Sequence, residues 1–182
     1  MPGLCAPTRP GALTAGALLF VGMVVPAAAQ WGSFDSEFDE EKKPWSEIEA
    51  RLPAYPRTEN LLRFEGGVAS GNRFYIDAPS LSVGEDGVVR YTMMVRAGNV
   101  TNVSFEGIRC ATGEQKLYAV GRSDGKWTRA RDPAWRGIAY RELNRPQWNL
   151  FKEFYCVDRR EPVPLTLKGI LEALTRESQR LR

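Results

Sequence analysis

The 182-residue sequence contains no histidine. This absence excludes Ser-His and Cys-His nucleophile pairs and the imidazole ligands that many protein metal sites use. Acid–base chemistry would have to use carboxylates, lysine or tyrosine instead. The glycines at Gly66-Gly67 and from Gly84 to Gly87 match neither a phosphate-binding loop nor a dinucleotide-binding turn, and neither opens a helix. We therefore expect no metal and no cofactor.

A large excess of either charge is also missing. Lysine and arginine number 25 against 22 aspartates and glutamates, a formal net charge of +3. This balance gives no strong reason to expect binding to nucleic acid or to a polyanionic substrate. The scattered acidic residues show no calcium-loop spacing, and we interpret them as turn and loop residues.

Long hydrophobic runs are limited to one, from Gly11 to Val25. Arg9 precedes it, and Ala27 to Ala29 supply the small-residue pattern of a signal-peptidase site before Gln30. A membrane anchor is the alternative, but the run is about 15 residues long, whereas a spanning helix needs roughly 20. We predict a signal peptide over residues 1–29, cleaved near Ala29-Gln30, and export to the periplasm, with no transmembrane segment in the mature form.

Cysteine is scarce, with three in the chain. Cys5 would leave with the signal peptide, so Cys110 and Cys156 would remain. An even count in an oxidising compartment predicts a structural disulfide, although two buried free thiols are the alternative. The bridge would close a loop of about 45 residues, for which the chain-entropy model gives roughly 4 kcal/mol. There is no C-x-x-C motif, so a redox role is not expected.

Residues 30–45 are acidic and poor in large aliphatic side chains. Such a segment buries too little apolar area to offset the entropy of ordering, which predicts a flexible acidic arm. Trp31, Phe34 and Phe38 would share one face of a helix if a partner folded the arm. We expect residues 46–182 to form a single globular domain.

Helix signals lie near both ends of this domain. Ser46 and Glu49 match a capping box, which predicts a short N-terminal helix from Glu47 to Leu52. The aromatic residues between Trp148 and Tyr155 fit a second short helix.

The last segment is the clearest helix. One apolar face is marked by Leu167, Ile170, Leu171 and Leu174, and Thr166 can cap the N-terminus. This pattern predicts a C-terminal amphipathic helix that covers one face of a sheet.

The middle of the chain favours strands. From Val88 to Arg96, apolar residues alternate with more polar ones, as in a strand with one buried face. Further candidates are Phe74 to Ile76, Leu81 to Val83, Val100 to Ile108, Gln115 to Gly121 and Lys126 to Ala130. The short turns between them leave no room for the crossovers that parallel pairing needs. The predicted fold is α+β: an antiparallel β meander or sandwich-like sheet with a short N-terminal helix and the C-terminal amphipathic helix.

The stretch from Asn102 to Cys110 has two interpretations. As a strand it places Asn102, Ser104 and Glu106 on one face, and with Arg109 these residues could form a polar site. The same face could instead be the solvated side of the sheet, with Val103 and Phe105 in the core. We favour the solvated side.

A second candidate site lies between residues 122 and 145, where arginine, lysine and aromatic residues are interleaved. The candidate binding residues include Arg109, which lies next to Cys110 and outside this stretch. The full set is Arg109, Arg122, Lys126, Trp127, Arg129 and Arg136. Basic and aromatic side chains suit an anionic sugar or a lipid head group, and export argues against nucleic acid. In the alternative, the tryptophans belong to the core and the arginines form a solvated face.

Several runs of the sequence resemble the cryptic neisserial protein-like family. They are Tyr55 to Leu61, Arg73 to Asp77, Gly87 to Thr92, Asn102 to Cys110, Lys116 to Ala119 and Phe154 to Cys156. The resemblance implies a small exported protein of Gram-negative bacteria. It implies no catalytic residue.

Three functions remain open at this point. We expect a non-enzymatic periplasmic protein that binds an envelope protein or an anionic glycan or lipid. A hydrolase that uses carboxylates such as Glu106 is the second possibility. A structural component of an envelope assembly, tethered by the acidic arm, is the third.

Overall fold

In the computed structural model, the described residues are 44–67, 71–139, 145–157 and 162–182. The predicted signal peptide and most of the predicted acidic arm lie outside them, as do Tyr140 and Arg141 of the basic stretch.

The centre of the fold is an antiparallel sheet whose strands follow one another in sequence order. These strands are β1 (Leu61–Phe64), β2 (Arg73–Val83), β3 (Val88–Ala97), β4 (Val100–Arg109), β5 (Glu114–Gly121) and β6 (Trp127–Arg129). A two-residue strand, β7 (Arg136–Gly137), also pairs with β5. Gly98 and Gly113 adopt positive φ angles of 56° and 61° in the turns on either side of β4, a conformation that favours glycine. The predicted α+β class with an antiparallel sheet is confirmed.

The sequence predicted two short strands in this region, whereas the structure has the single strand β2. It is continuous, but its pairing with β3 shifts register between Asp77 and Ser82. Ser80 lies in this bulge, where its hydroxyl donates to the Asp77 carbonyl oxygen at 2.7 Å and accepts from the Thr92 N–H at 2.8 Å. The irregular sequence around Pro79 therefore marks a bulge within one strand rather than a loop between two.

Helical structure follows the sheet. Helix α1 (Arg145–Asn149) continues into a π-helical segment (Leu150–Tyr155), as expected for this aromatic stretch. Strands β8 (Cys156–Val157) and β9 (Val163–Pro164) then form a small hairpin. Helix α2 (Leu167–Arg180) has Thr166 at its N-cap, where Oγ1 accepts a hydrogen bond from the Gly169 N–H at 3.2 Å. None of the helices in the described parts of the chain is long and apolar enough to span a membrane.

The core lies between one face of the sheet and these helices. Tyr91 and Ile76 of the sheet are fully buried there with Tyr155, Ile170 and Leu174 of the helical segments. The predicted disulfide between Cys110 and Cys156 is confirmed, with the Cα atoms 5.6 Å apart. It joins the end of β4 to the start of β8.

The other face of the sheet carries the N-terminal strap (residues 44–57). Arg90 and Tyr91 are consecutive in β3 and therefore point to opposite faces. Tyr91 lies in the core, whereas the Arg90 guanidinium reaches the strap, donating to the Ile48 carbonyl oxygen at 2.8 Å. Both faces of the sheet are thus covered.

The predicted helix from Glu47 to Leu52 is wrong, because the strap has neither helix nor strand. Hydrogen bonds to the sheet satisfy the backbone and side-chain groups that would otherwise pair within a helix. The Ile48 N–H donates to Asp86 Oδ2 at 2.9 Å, and Asp86 itself pairs with Arg90 at 2.6 Å. Glu47 is held by side chains of β5. Tertiary hydrogen bonds here outweigh a local capping signal.

Candidate functional site

A buried carboxylate lies on the helical side of the sheet. Glu106 of β4 stands directly opposite Tyr91 of β3, so the two side chains share a face. The Tyr91 hydroxyl donates to Glu106 Oε2 at 2.9 Å. Glu106 is only 7% exposed. The interpretation of this face of β4 as the solvated side of the sheet is therefore wrong at Glu106, because the helices after the sheet cover it.

Two further donors complete the environment of this carboxylate. The Ser104 hydroxyl donates to Oε1 at 2.5 Å, and Gln147 of α1 donates from Nε2 to Oε2 at 3.0 Å. Each carboxylate oxygen thus has at least one hydrogen-bond donor, which is what a buried carboxylate requires. A helix that follows the sheet supplies one donor, so the cluster depends on the complete fold.

Two tyrosines next to Glu106 remain protonated. Burial, followed by the nearby Glu106 charge, raises the pKa of Tyr91 well above its ordinary value, and the same causes raise the pKa of Tyr155. Their rings meet edge to face, with centroids 5.1 Å apart. The Tyr155 hydroxyl has no hydrogen-bond partner within the described ranges. Of these two protonated hydroxyls, that of Tyr91 donates to Glu106.

A cavity of about 590 Å³ lies beside this cluster. Glu106 and Gln147 line it, together with residues of β5, β6, β7 and the loop between the last two strands. Those residues are Gln115, Lys116, Leu117, Val120, Thr128, Arg129, Ala130, Arg131, Asp132, Ala134 and Arg136. The volume is within the range of about 300–1,000 Å³ typical of small-molecule sites.

The cavity exists because the outer edge of β5 is only partly paired. Strand β6 pairs with Ala119 to Gly121, and β7 pairs with Glu114 and Gln115. The loop from residue 130 to residue 135 joins the two short strands. A bulge between β4 and β5 places Leu117 opposite Glu106, so that Tyr118 is the extra residue. The edge of the sheet and the buried carboxylate are thereby brought to the same cavity.

Three exposed arginines give this cavity a basic rim: Arg129, Arg131 and Arg136. Arg136 pairs with Asp132 at 2.7 Å, but both side chains are largely exposed, so solvent screens this pair. Arginine presents several donors in a planar fork that matches carboxylate and phosphate groups. The exposed arginines can therefore hold an anionic group, while the buried Glu106 lines the same cavity.

Two of the six predicted binding residues, Arg129 and Arg136, line this cavity. Arg122 and Lys126 instead belong to the exposed turn between β5 and β6. Trp127 packs against the strap: its Nε1 donates to the Pro53 carbonyl oxygen at 2.9 Å, and its ring contacts Tyr55. The Trp127 side chain thus packs against the strap, outside the core, and does not line the cavity.

Arg109 lies away from the cavity. It stacks on Trp45 of the strap, with the guanidinium carbon 3.8 Å from the ring centroid, and it contacts Glu114 at 3.8 Å. Arg109 is therefore a strap contact, and the polar site proposed with Glu106 does not include it.

The strap has its own charged anchor at Glu47. Its carboxylate accepts from Lys116 Nζ at 2.6 Å, Tyr118 Oη at 2.8 Å and Trp135 Nε1 at 3.1 Å. Burial alone would raise the pKa of Glu47, but these hydrogen bonds and the Lys116 charge hold that pKa below its ordinary value. Lys116 also lines the cavity, but it is paired with Glu47 and is less exposed than the rim arginines.

Gln115, Leu117 and Gln147 are site residues that the sequence did not reveal. Gln147 is 41 residues from Glu106, and neither lies in a motif with fixed spacing. Only the packing of α1 against the sheet brings them together. Over the described ranges, no group of three or more Cys, Asp or Glu side chains is placed to hold a metal ion.

Comparison with known protein families gives a match over most of the chain. A family model described as the CNP1-like family matches residues 40–175. No curated protein and no solved structure matches the chain.

Proposed function

Because the chain belongs to the CNP1-like family, whose description names no activity, we propose a function from the geometry of its own site. The protein is an exported envelope protein that binds an anionic glycan component in the cavity beside β5. The observation that carries this proposal is the convergence of Arg129, Arg131 and Arg136 on one cavity.

The rim supplies the attraction for the anionic group. Exposed guanidinium groups are hydrated in the free protein, and they can exchange water for a phosphate or carboxylate at little cost. The polar walls also suit a sugar, because Thr128, Gln115 and Gln147 line the same space as Leu117 and Val120. Hydroxyl and amide groups beside apolar patches are the usual surroundings of a bound sugar-sized ligand.

The periplasmic location rests on the N-terminal signal pattern and is consistent with the disulfide. A bridge between two cysteines persists in an oxidising compartment. Anionic glycans of the cell envelope would be accessible to the protein there.

Isothermal titration tests this function with glucose 6-phosphate, galacturonate and neutral glucose as probes. We expect both anions to bind and glucose to bind at least about tenfold more weakly, since each lost charged hydrogen bond is worth about 1.5–3 kcal/mol. The double variant R129Q/R136Q should lose the anion binding.

The matched control is R122Q/R176Q, which removes the same charge from exposed positions outside the cavity. It should bind as the wild type does. If both double variants lose affinity equally, net charge rather than the cavity is responsible. If no anion binds to the wild type, the proposed function is wrong.

A hydrolase remains the second candidate, because Glu106 and Asp132 line the same cavity. Three donors hold Glu106 and Arg136 pairs with Asp132, so neither carboxylate is placed as a free base. Consumption of a glycan probe by the wild type that E106Q abolishes would favour this candidate over simple binding.

A further inference from the structure

The cavity is lined by a buried carboxylate and by exposed guanidinium groups. Glu106 is more than nine-tenths buried, whereas Arg129, Arg131 and Arg136 are exposed at the rim. Among the ion pairs formed by residues that the structure describes, none includes Glu106. In the parts of the chain that the structure describes, the donors to this carboxylate are neutral groups of Tyr91, Ser104 and Gln147.

A purely anionic ligand would leave this arrangement unexplained. Burying a carboxylate without a cation is costly, and neutral hydrogen bonds offset only part of that cost. An anion that enters the cavity also approaches Glu106, which would repel it. A glutamine at this position would satisfy a simple anion site better.

We propose, on the basis of the proposed function, that the ligand is a small amino sugar carrying an anionic group. Its ammonium pairs with the buried Glu106, and its phosphate or carboxylate lies among the rim arginines. The charge pattern of such a ligand is the complement of the cavity, and charge complementarity of this kind determines which partners are rejected.

The ligand also fits the part of the cavity that Glu106 and Gln147 line. Gln147 donates to Glu106 through Nε2, and both residues line the cavity, so an ammonium paired with the carboxylate would lie near the glutamine amide. Tyr91 holds Glu106 from the core side, because its ring is fully buried. The carboxylate is thus fixed in place before the ligand arrives, which reduces the entropic cost of binding.

The experiment compares three probes that differ only at carbon 2: glucosamine 6-phosphate, N-acetylglucosamine 6-phosphate and glucose 6-phosphate. Titration calorimetry on the wild type should give glucosamine 6-phosphate the lowest Kd, by at least about tenfold, because it alone offers a cation to Glu106. In E106Q this preference should vanish, while glucose 6-phosphate binds at least as well as before. The control E172Q, which removes an exposed carboxylate outside the cavity, should retain the preference.

The outcomes separate the two proposals. Equal Kd values for the three phosphates in the wild type overturn the amino-sugar assignment and leave the anion-binding function intact. If none of the three binds, the proposed function fails, and this assignment fails with it. The comparison of ligands on the wild type needs no variant, so a folding defect in E106Q would not obscure the result.

Discussion

Gly107 of β4 lies directly beneath the Tyr118 ring. A Cβ atom at position 107 would be 2.7 Å from the Tyr118 hydroxyl oxygen and 2.9 Å from a ring carbon. Tyr118 has little freedom to move, because its hydroxyl donates to Glu47 and its ring contacts Phe105. Only glycine leaves room for this ring between the sheet and the strap.

We therefore expect G107A to lower the free energy of unfolding by about 1–3 kcal/mol, the usual cost of overpacking. Urea denaturation followed by tryptophan fluorescence measures it. G137A is the matched control, since a Cβ atom there meets nothing within 4 Å. A G107A variant as stable as G137A would show that the Tyr118 ring is not held against β4.

The residues around Glu106 show what the alternation of apolar and polar residues in a strand can predict and what it cannot. The pattern of β4 correctly places Ser104 and Glu106 on one face, and their opposition to β3 follows from the antiparallel pairing. The burial of Glu106 does not follow, because the alternating pattern alone does not reveal which side of the sheet a later helix covers. Gln147, which donates to this carboxylate, comes from that helix.

At the scale of elements, the strap is the part of the fold that local sequence signals describe least well. Its backbone and side chains bond to β3 and β5 across large separations in sequence, such as 69 residues between Glu47 and Lys116. The alternation of β3 and the cap of α2 depend on neighbours in the sequence, and both were predictable. A segment whose partners are all distant gives no such local pattern.

The anchor at Glu47 makes the attachment of the strap dependent on pH. The folded-state pKa of Glu47 is lowered from the ordinary 4.5, so its stabilisation is complete above that value and is lost as the pH falls through the lowered pKa. We expect E47Q to cost about 1–2 kcal/mol of unfolding free energy at neutral pH, an estimate for partly exposed charged hydrogen bonds. The difference from the wild type should shrink in acid.

Urea midpoints at neutral pH and at about pH 3, where an ordinary glutamate is protonated, measure this difference. E49Q is the matched control, because Glu49 is an exposed residue of the same strap. It should match the wild type at both pH values. A constant deficit of E47Q across the range would contradict a role for the Glu47 charge.

At the scale of the whole molecule, the cavity results from the order in which the chain connects its strands and helix α1. The meander brings β5 to the outside of the sheet, two short strands cover parts of its edge, and α1 returns to close the cavity from the helical side. Composition predicted that the segment between residues 122 and 145 is basic and aromatic. It did not predict that the arginines separate from the tryptophans, with Arg129 and Arg136 lining the cavity and Trp127 and Trp135 packing against the strap.

We propose that the cavity beside β5 binds an anionic envelope component. In-cell photo-crosslinking tests it most directly, with a photo-reactive amino acid in place of Leu117, which lines the cavity, or of Val163, which is exposed in β9. Mass spectrometry of the exported protein should find an anionic glycan adduct at position 117 that is absent at position 163 and lost in R129Q/R136Q. The same adducts at both positions, or an adduct at position 117 that the arginine substitutions leave unchanged, would contradict the claim.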